Sequence, residues 1–316
     1  SWESTSKIAA QAFHTGTYDL ALQLSLQALS LAKQEFGPHH INYFTTVGEV
    51  ATILKKKGQY TEAQKIEEEN LLEIDRALGS ENLTYITALK NLGNTLLELG
   101  EYQQAEERYN RANGLISKVI SKKDEYYNTH VLNLFHTYMA VSIQLGVMYQ
   151  RMGRIGEAKS LYINLIGFCK NYLGNDHAEY SLYAVLINNL ANIYIDAQEY
   201  ENAEPYLIES RSMYERWYGT TSPYFLQTTT NLATVYKNTQ RASDAEELLN
   251  ETLAAVGNTQ GKGSADYIHV LNNLAELCIN QERYSASEGY LVEALQWQDR
   301  YFGKNHPMYK ILVHNL

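Results

Sequence analysis

Apolar side chains recur along this chain at the spacing of one face of an α-helix. From Glu201 to Trp217 the stripe runs through Tyr206, Leu207, Met213, Tyr214 and Trp217, with the small Ser210 inside it. A short turn followed by a small residue, usually alanine, interrupts such stripes at regular intervals: GTYDLA (16–21), GQYTEA (58–63), GEYQQA (100–105), GRIGEA (153–158), QEYENA (198–203), QRASDA (240–245) and ERYSAS (282–287). With Tyr18, Tyr60, Tyr102, Ile155, Tyr200, Ala242 and Tyr284 as markers, the steps are 42, 42, 53, 45, 42 and 42 residues. A fixed period of this length is the signature of a repeat architecture.

Two further positions keep the phase. Seven residues before each turn stands Ala9, Ala51, Gly93, Gly146, Ala191, Ala233 or Ala275, and after it Ala21, Ala63, Ala105, Ala158, Ala203, Ala245 or Ser287. Small residues at both sites let two antiparallel helices approach closely across a short loop. Each unit therefore reads as helix A, turn, helix B and connector. In the fifth unit, helix A covers roughly 183–197 and helix B 201–217, with Pro205 in the first turn of B. Connectors carry the stop signals FGPHH (36–40), LGSEN (78–82), LGNDH (173–177), YGTTSP (218–223) and FGKNHP (302–307).

The chain is expected to be all-α, a right-handed α-solenoid of about seven helix–turn–helix units plus the start of an eighth. Read as one array over 1–316, the units cover 1–40, 41–82, 83–128, 129–177, 178–222, 223–264 and 265–307, and 308–316 begins another helix A. That last stretch suggests that the native protein continues. The step of 53 places a helical insertion near 113–140, with a tyrosine-bearing loop near 124–128, expected to be a tolerated surface feature. The step of 45 adds three residues near 177–182.

The motifs FGKNHP (302–307), NNLANIY (188–194), NNLAELC (272–278) and EYENAEPYL (199–207) resemble the long tetratricopeptide repeats of kinesin light chain. The likeness extends over nearly the whole chain. It implies a protein or peptide partner held along the concave wall that the A helices line. In similar repeat proteins, a ladder of asparagines grips the backbone of that partner.

Three registers on the A helices point inward. The first holds Asn91, Gln144, Asn189, Asn231 and Asn273; the second holds Lys90, Ile143, Asn188, Thr230 and Asn272; the third holds Asn94, Val147, Asn192, Thr234 and Glu276. Asparagine is a poor mid-helix residue, yet its amide can grip an extended backbone without regard to sequence. The candidate peptide-binding residues are thus Lys90, Asn91, Asn94, Gln144, Arg151, Asn188, Asn189, Asn192, Asn231, Lys237, Asn272 and Asn273. Replacing Asn189, Asn231 and Asn273 together is expected to abolish capture with little change in melting. Charges along this wall are Lys55, Lys56, Lys90, Arg151 and Lys237 against Glu49, Glu98, Asp196 and Glu276, and the more basic first half suits an acidic segment. The run Glu67–Glu69 reads as a solvated outer face.

Other chemistry finds little support. A net charge of −10 disfavours nucleic acid. No apolar stretch looks long enough to insert in a membrane, and no basic-then-apolar leader opens the chain. Two cysteines, Cys169 and Cys278, are too few for a disulfide framework and fall in core slots, which suits a reducing, cytoplasmic setting. His39, His40, His177 and His306 sit in connectors, where they are expected to fix the loop. No catalytic group, metal site or cofactor is expected. Two functions remain: an interaction scaffold or adaptor, or the sensing arm of a larger effector such as a caspase-like protease, an NTPase switch or a kinase.

Overall fold

Every described element of the computed structural model, which covers residues 1–122, 125–173 and 181–316, is helical. In chain order the helices are α1 (Trp2–His14), α2 (Tyr18–Phe36), α3 (Ile41–Lys56), α4 (Tyr60–Leu78), α5 (Leu83–Glu98), α6 (Tyr102–Lys122), α7 (Glu125–Arg151) and α8 (Ile155–Leu173). They continue as α9 (Ser181–Asp196), α10 (Tyr200–Tyr218), α11 (Pro223–Asn238), α12 (Ala242–Thr259), α13 (Ala265–Asn280), α14 (Tyr284–Tyr301) and α15 (Pro307–Asn315). Odd-numbered helices are A helices and even-numbered ones B helices, so the fold is an α-solenoid of helix–turn–helix units. Residues Ser1–Leu161 and Tyr162–Leu316 form two compact units.

The A-to-B turns share one backbone solution. The second residue of each turn donates its N–H five residues back, as in Gln59 to Leu54 (2.9 Å), Arg154 to Tyr149 (2.8 Å) and Arg283 to Cys278 (2.9 Å). This closes the helix end through a left-handed residue. Gly16, Gly58, Gly100 and Gly153 fill that position in the first four turns; Gln198, Gln240 and Glu282 fill it in the last three, with φ of 59°, 61° and 58°. Glycines 37, 79, 219 and 303, also left-handed, terminate B helices as the connectors implied. Of the connector histidines, His40 and His306 accept the N–H of Asn42 and Met308 at 3.2 Å and lie against Phe36 and Phe302. They cap the next A helix and hold the loop. His177 lies outside the described residues.

The small pairs behave as their spacing requires. Every member of both sets is buried. Gly93 is the tightest case, because a Cβ there would stand 2.6 Å from the Tyr109 ring. The turn tyrosines Tyr18, Tyr60, Tyr102 and Tyr200 are half-buried, whereas Tyr284 is 65% exposed. Successive B helices are also tied by turn arginines: Arg154 reaches Glu106 (2.8 Å), Arg241 reaches Glu204 (2.6 Å) and Arg283 reaches Glu246 (2.6 Å).

Three expectations change. The insertion is helical, as expected, since α7 has 27 residues where α3, α5 and α9 have 16, but it is not a surface feature. Tyr126 and Tyr127 lie inside that helix, whose Leu134, Phe135 and Met139 are fully buried, Leu134 in the core that α5 and α6 share. Residues 128–151 are long and apolar enough by length and composition to cross a membrane, contrary to the sequence reading, but more than half of that stretch is core. Glu67 is buried, at 4% exposure, because Lys55 pairs with it at 2.8 Å and the Thr95 hydroxyl donates to it at 2.5 Å. Of the three-residue addition near 177–182, only Ser181 and Leu182 lie within the described residues, and they open α9.

Candidate functional site

The candidate residues lie on A helices, and each unit presents its own part of that face. In the second unit the amides mainly join one A helix to the next. Asn231 donates to Asn192 (2.7 Å), Thr228 to Asn188 (3.2 Å), Asn273 to Thr230 (3.5 Å) and Asn315 to Asn272 (2.9 Å). Asn188 and Asn272 are buried, whereas Asn189, Asn192, Asn231 and Asn273 are half-buried. Asn189 also hydrogen-bonds the buried Tyr162 hydroxyl. Part of the ladder's capacity is thus spent within the chain. Lys237 lines a small recess with Thr230, Thr234, Asn273 and Glu276, of about 30 Å³, room for a water and little more.

The first unit is built differently. Here α1, α3 and α5, with Ser25 of α2 and Asn70, Ile74 and Leu78 of α4, line a cavity of about 680 Å³, and His130 of α7 completes its wall. Its apolar lining comes from Phe13, Ile41, Phe44, Ile53, Ile74, Leu78 and Leu83, and its rim from Thr45, Thr52, Thr84, Thr87 and Asn91. That volume falls in the range of ordinary ligand sites. Asn91 is the one predicted site residue lining it. Apart from Glu49, already placed among the wall charges, the sequence reading missed the rest, although a signal existed: in α3 its three inward registers give Glu49, Gly48 and Thr52, and all three line the cavity.

Charge along the first unit's A helices is partly neutralised from within. Lys55 is engaged by Glu67, and Arg151 meets Glu98 at 3.2 Å. Lys90 is half-buried, and lost hydration, then the Lys55 charge, hold its ammonium below the usual lysine range. Burial and then Lys90 keep His136 below 6.5. Asn94 accepts from the Tyr109 hydroxyl at 2.8 Å, and Gln144 is half-buried on α7. Burial pushes the Glu49 carboxyl up, with no charged neighbour contributing.

Two tetratricopeptide repeat family models match the sequence, one over residues 3–71, 44–112 and 182–256 and the other over 143–179 and 268–307. This chain belongs to the tetratricopeptide repeat family. No curated protein matches it in sequence. Solved tetratricopeptide repeat structures share the fold. The BtubC protein of P. vanneervenii is 20% identical with a TM-score of 0.64, over 79% of this chain and 93% of that one. A signal-transduction ATPase of Pyrococcus horikoshii, with a tetratricopeptide repeat sensor, is 13% identical with a TM-score of 0.67. That match covers 98% of this chain but 44% of the ATPase. A Rap protein complexed with competence and sporulation factor is 13% identical with a TM-score of 0.58, over 100% of this chain and 76% of that one. The tetratricopeptide repeat is generally a protein–protein interaction module.

Proposed function

We propose that this tetratricopeptide repeat chain is a scaffold that holds a segment of another protein against its A helices. The observation that carries the reading is the open, apolar cavity on α1, α3 and α5, rimmed by threonines and Asn91. Apolar anchors in such a pocket supply most of the affinity of an interface, while amides and hydroxyls around it fix orientation. The half-buried amides of the second unit add hydrogen-bonding groups of the same kind. The test is site-specific photo-crosslinking. A crosslinker at Thr52 on the A-helix face should trap a partner reproducibly, and one at Leu72, exposed on α4, should not. Trapping from Leu72 alone would move the interaction to the B helices.

A second reading, that the array serves as the sensing arm of an effector, draws on its likeness in fold to the ATPase with a repeat sensor. The full gene sequence decides it: a fused effector domain supports the reading, and its absence removes it.

A further inference from the structure

Glu49 is a carboxylate on the wall of an apolar cavity, and no cation pairs with it among the described residues. The geometry points to a docking site for a partner segment that sets apolar side chains between α1, α3 and α5 and a lysine or arginine against Glu49. This rests on the scaffold reading above and names the partner's chemistry at that face.

Two features of α3 carry it independently. The first is Gly48. An interior helical glycine costs about 1 kcal/mol relative to alanine, so its presence calls for a cause. Packing is not the cause: a Cβ at Gly48 would meet no atom within 4 Å, unlike one at Gly93. Other helical glycines with open space, such as Gly114, Gly156 and Gly167, lie on the exposed surface of B helices. Gly48 lines the cavity, and any side chain there would project into it. The missing side chain keeps the pocket open.

The second feature is charge. His14 and His130 are the other titratable groups in the lining, and Lys55 is already engaged by Glu67. Lys90 is not part of the lining. An acidic segment seated here would face Glu49 as a like charge, and a purely apolar one would leave it desolvated and unpaired. A cationic side chain resolves both penalties. The acidic partner suggested by a tally of lysines fails at this pocket because the tally ignored internal pairing.

The experiment selects phage-displayed random short peptides on the full chain, then measures synthetic versions of the enriched sequences by fluorescence anisotropy. Enriched peptides should place Lys or Arg beside an aliphatic or aromatic residue. Glu49→Gln should weaken them about tenfold and Glu49→Lys further. Gly48→Leu should abolish binding while the melting temperature stays at or above wild type; Thr45→Leu, on the same wall, is the second plug. Acidic or neutral consensus sequences would overturn the proposal, as would basic peptides indifferent to Glu49→Lys. Peptides lost on Gly48→Leu but insensitive to Glu49 would leave the scaffold reading standing and remove the charge assignment. A dimer seen by light scattering and dissolved by Gly48→Leu would replace the partner with a second copy of this chain. Trapping through Leu72 with no enriched peptide would sink both readings together.

Discussion

Gly93 lies so close to Tyr109 that a methyl group there would press on the ring, whereas Gly48 looks into open space. The two alanine substitutions should therefore have opposite signs. Gly93→Ala should cost about 2 kcal/mol through overpacking, and Gly48→Ala should add about 1 kcal/mol of stability; thermal melts of the pair check both. Glu49 gives a pH signature. Its carboxyl is raised in the fold, so its stabilising share is complete below the ordinary value of 4.5 and disappears as pH rises through the folded value. Glu49→Gln should thus melt higher than wild type at neutral pH, by less than about 1 kcal/mol given its exposure. The gap should close on acidification. At this scale sequence reasoning found amides by their oddity in helices. It could not tell an amide displayed to a ligand from one such as Asn231, whose donor is already given to Asn192. Losing that bond on replacement costs about 1 kcal/mol, so the triple asparagine variant should melt below wild type, against the expectation from sequence.

Helices and their ends were legible because each element carries local instructions. Glycine or its stand-in closes the A helix, and small residues set the hairpin spacing. Ser222, Ser264, Asn82 and the connector histidines each cap the A helix that begins beside them. What spacing alone could not show is which polar residue goes inside. Glu67 sits in the run Glu67–Glu69 and looks solvated, yet Lys55 of α3 and Thr95 of α5 converge on it from either side. Removing the cation strands a buried carboxylate. Lys55→Met should cost about 3 kcal/mol, and adding Glu67→Leu should recover most of it; a double-mutant cycle in urea measures the coupling. The insertion was legible as added helix, but its burial was not: Leu134 joins the core of α5 and α6, which spacing alone does not show.

Across the whole chain, the repeat period determined the fold class, while the pocket arose from α1 to α5 and α7 together and from no single motif. Both thiols fall in the unit Tyr162–Leu316 and are fully buried; burial pushes Cys169 up to about 12 and Cys278 upward. Ellman's reagent at neutral pH should find no reactive thiol in the native protein and two in urea, with their appearance tracking the opening of that unit. The left-handed turn position has a practical consequence. A residue with a side chain resists that conformation by about 1 kcal/mol, and Gln198, Gln240 and Glu282 carry this burden where the first four hairpins have glycine. Gln198→Gly, Gln240→Gly and Glu282→Gly should each raise the melting temperature, and scanning calorimetry of the triple variant checks their sum. A more heat-resistant chain is three substitutions away, and none of them alters the A-helix face.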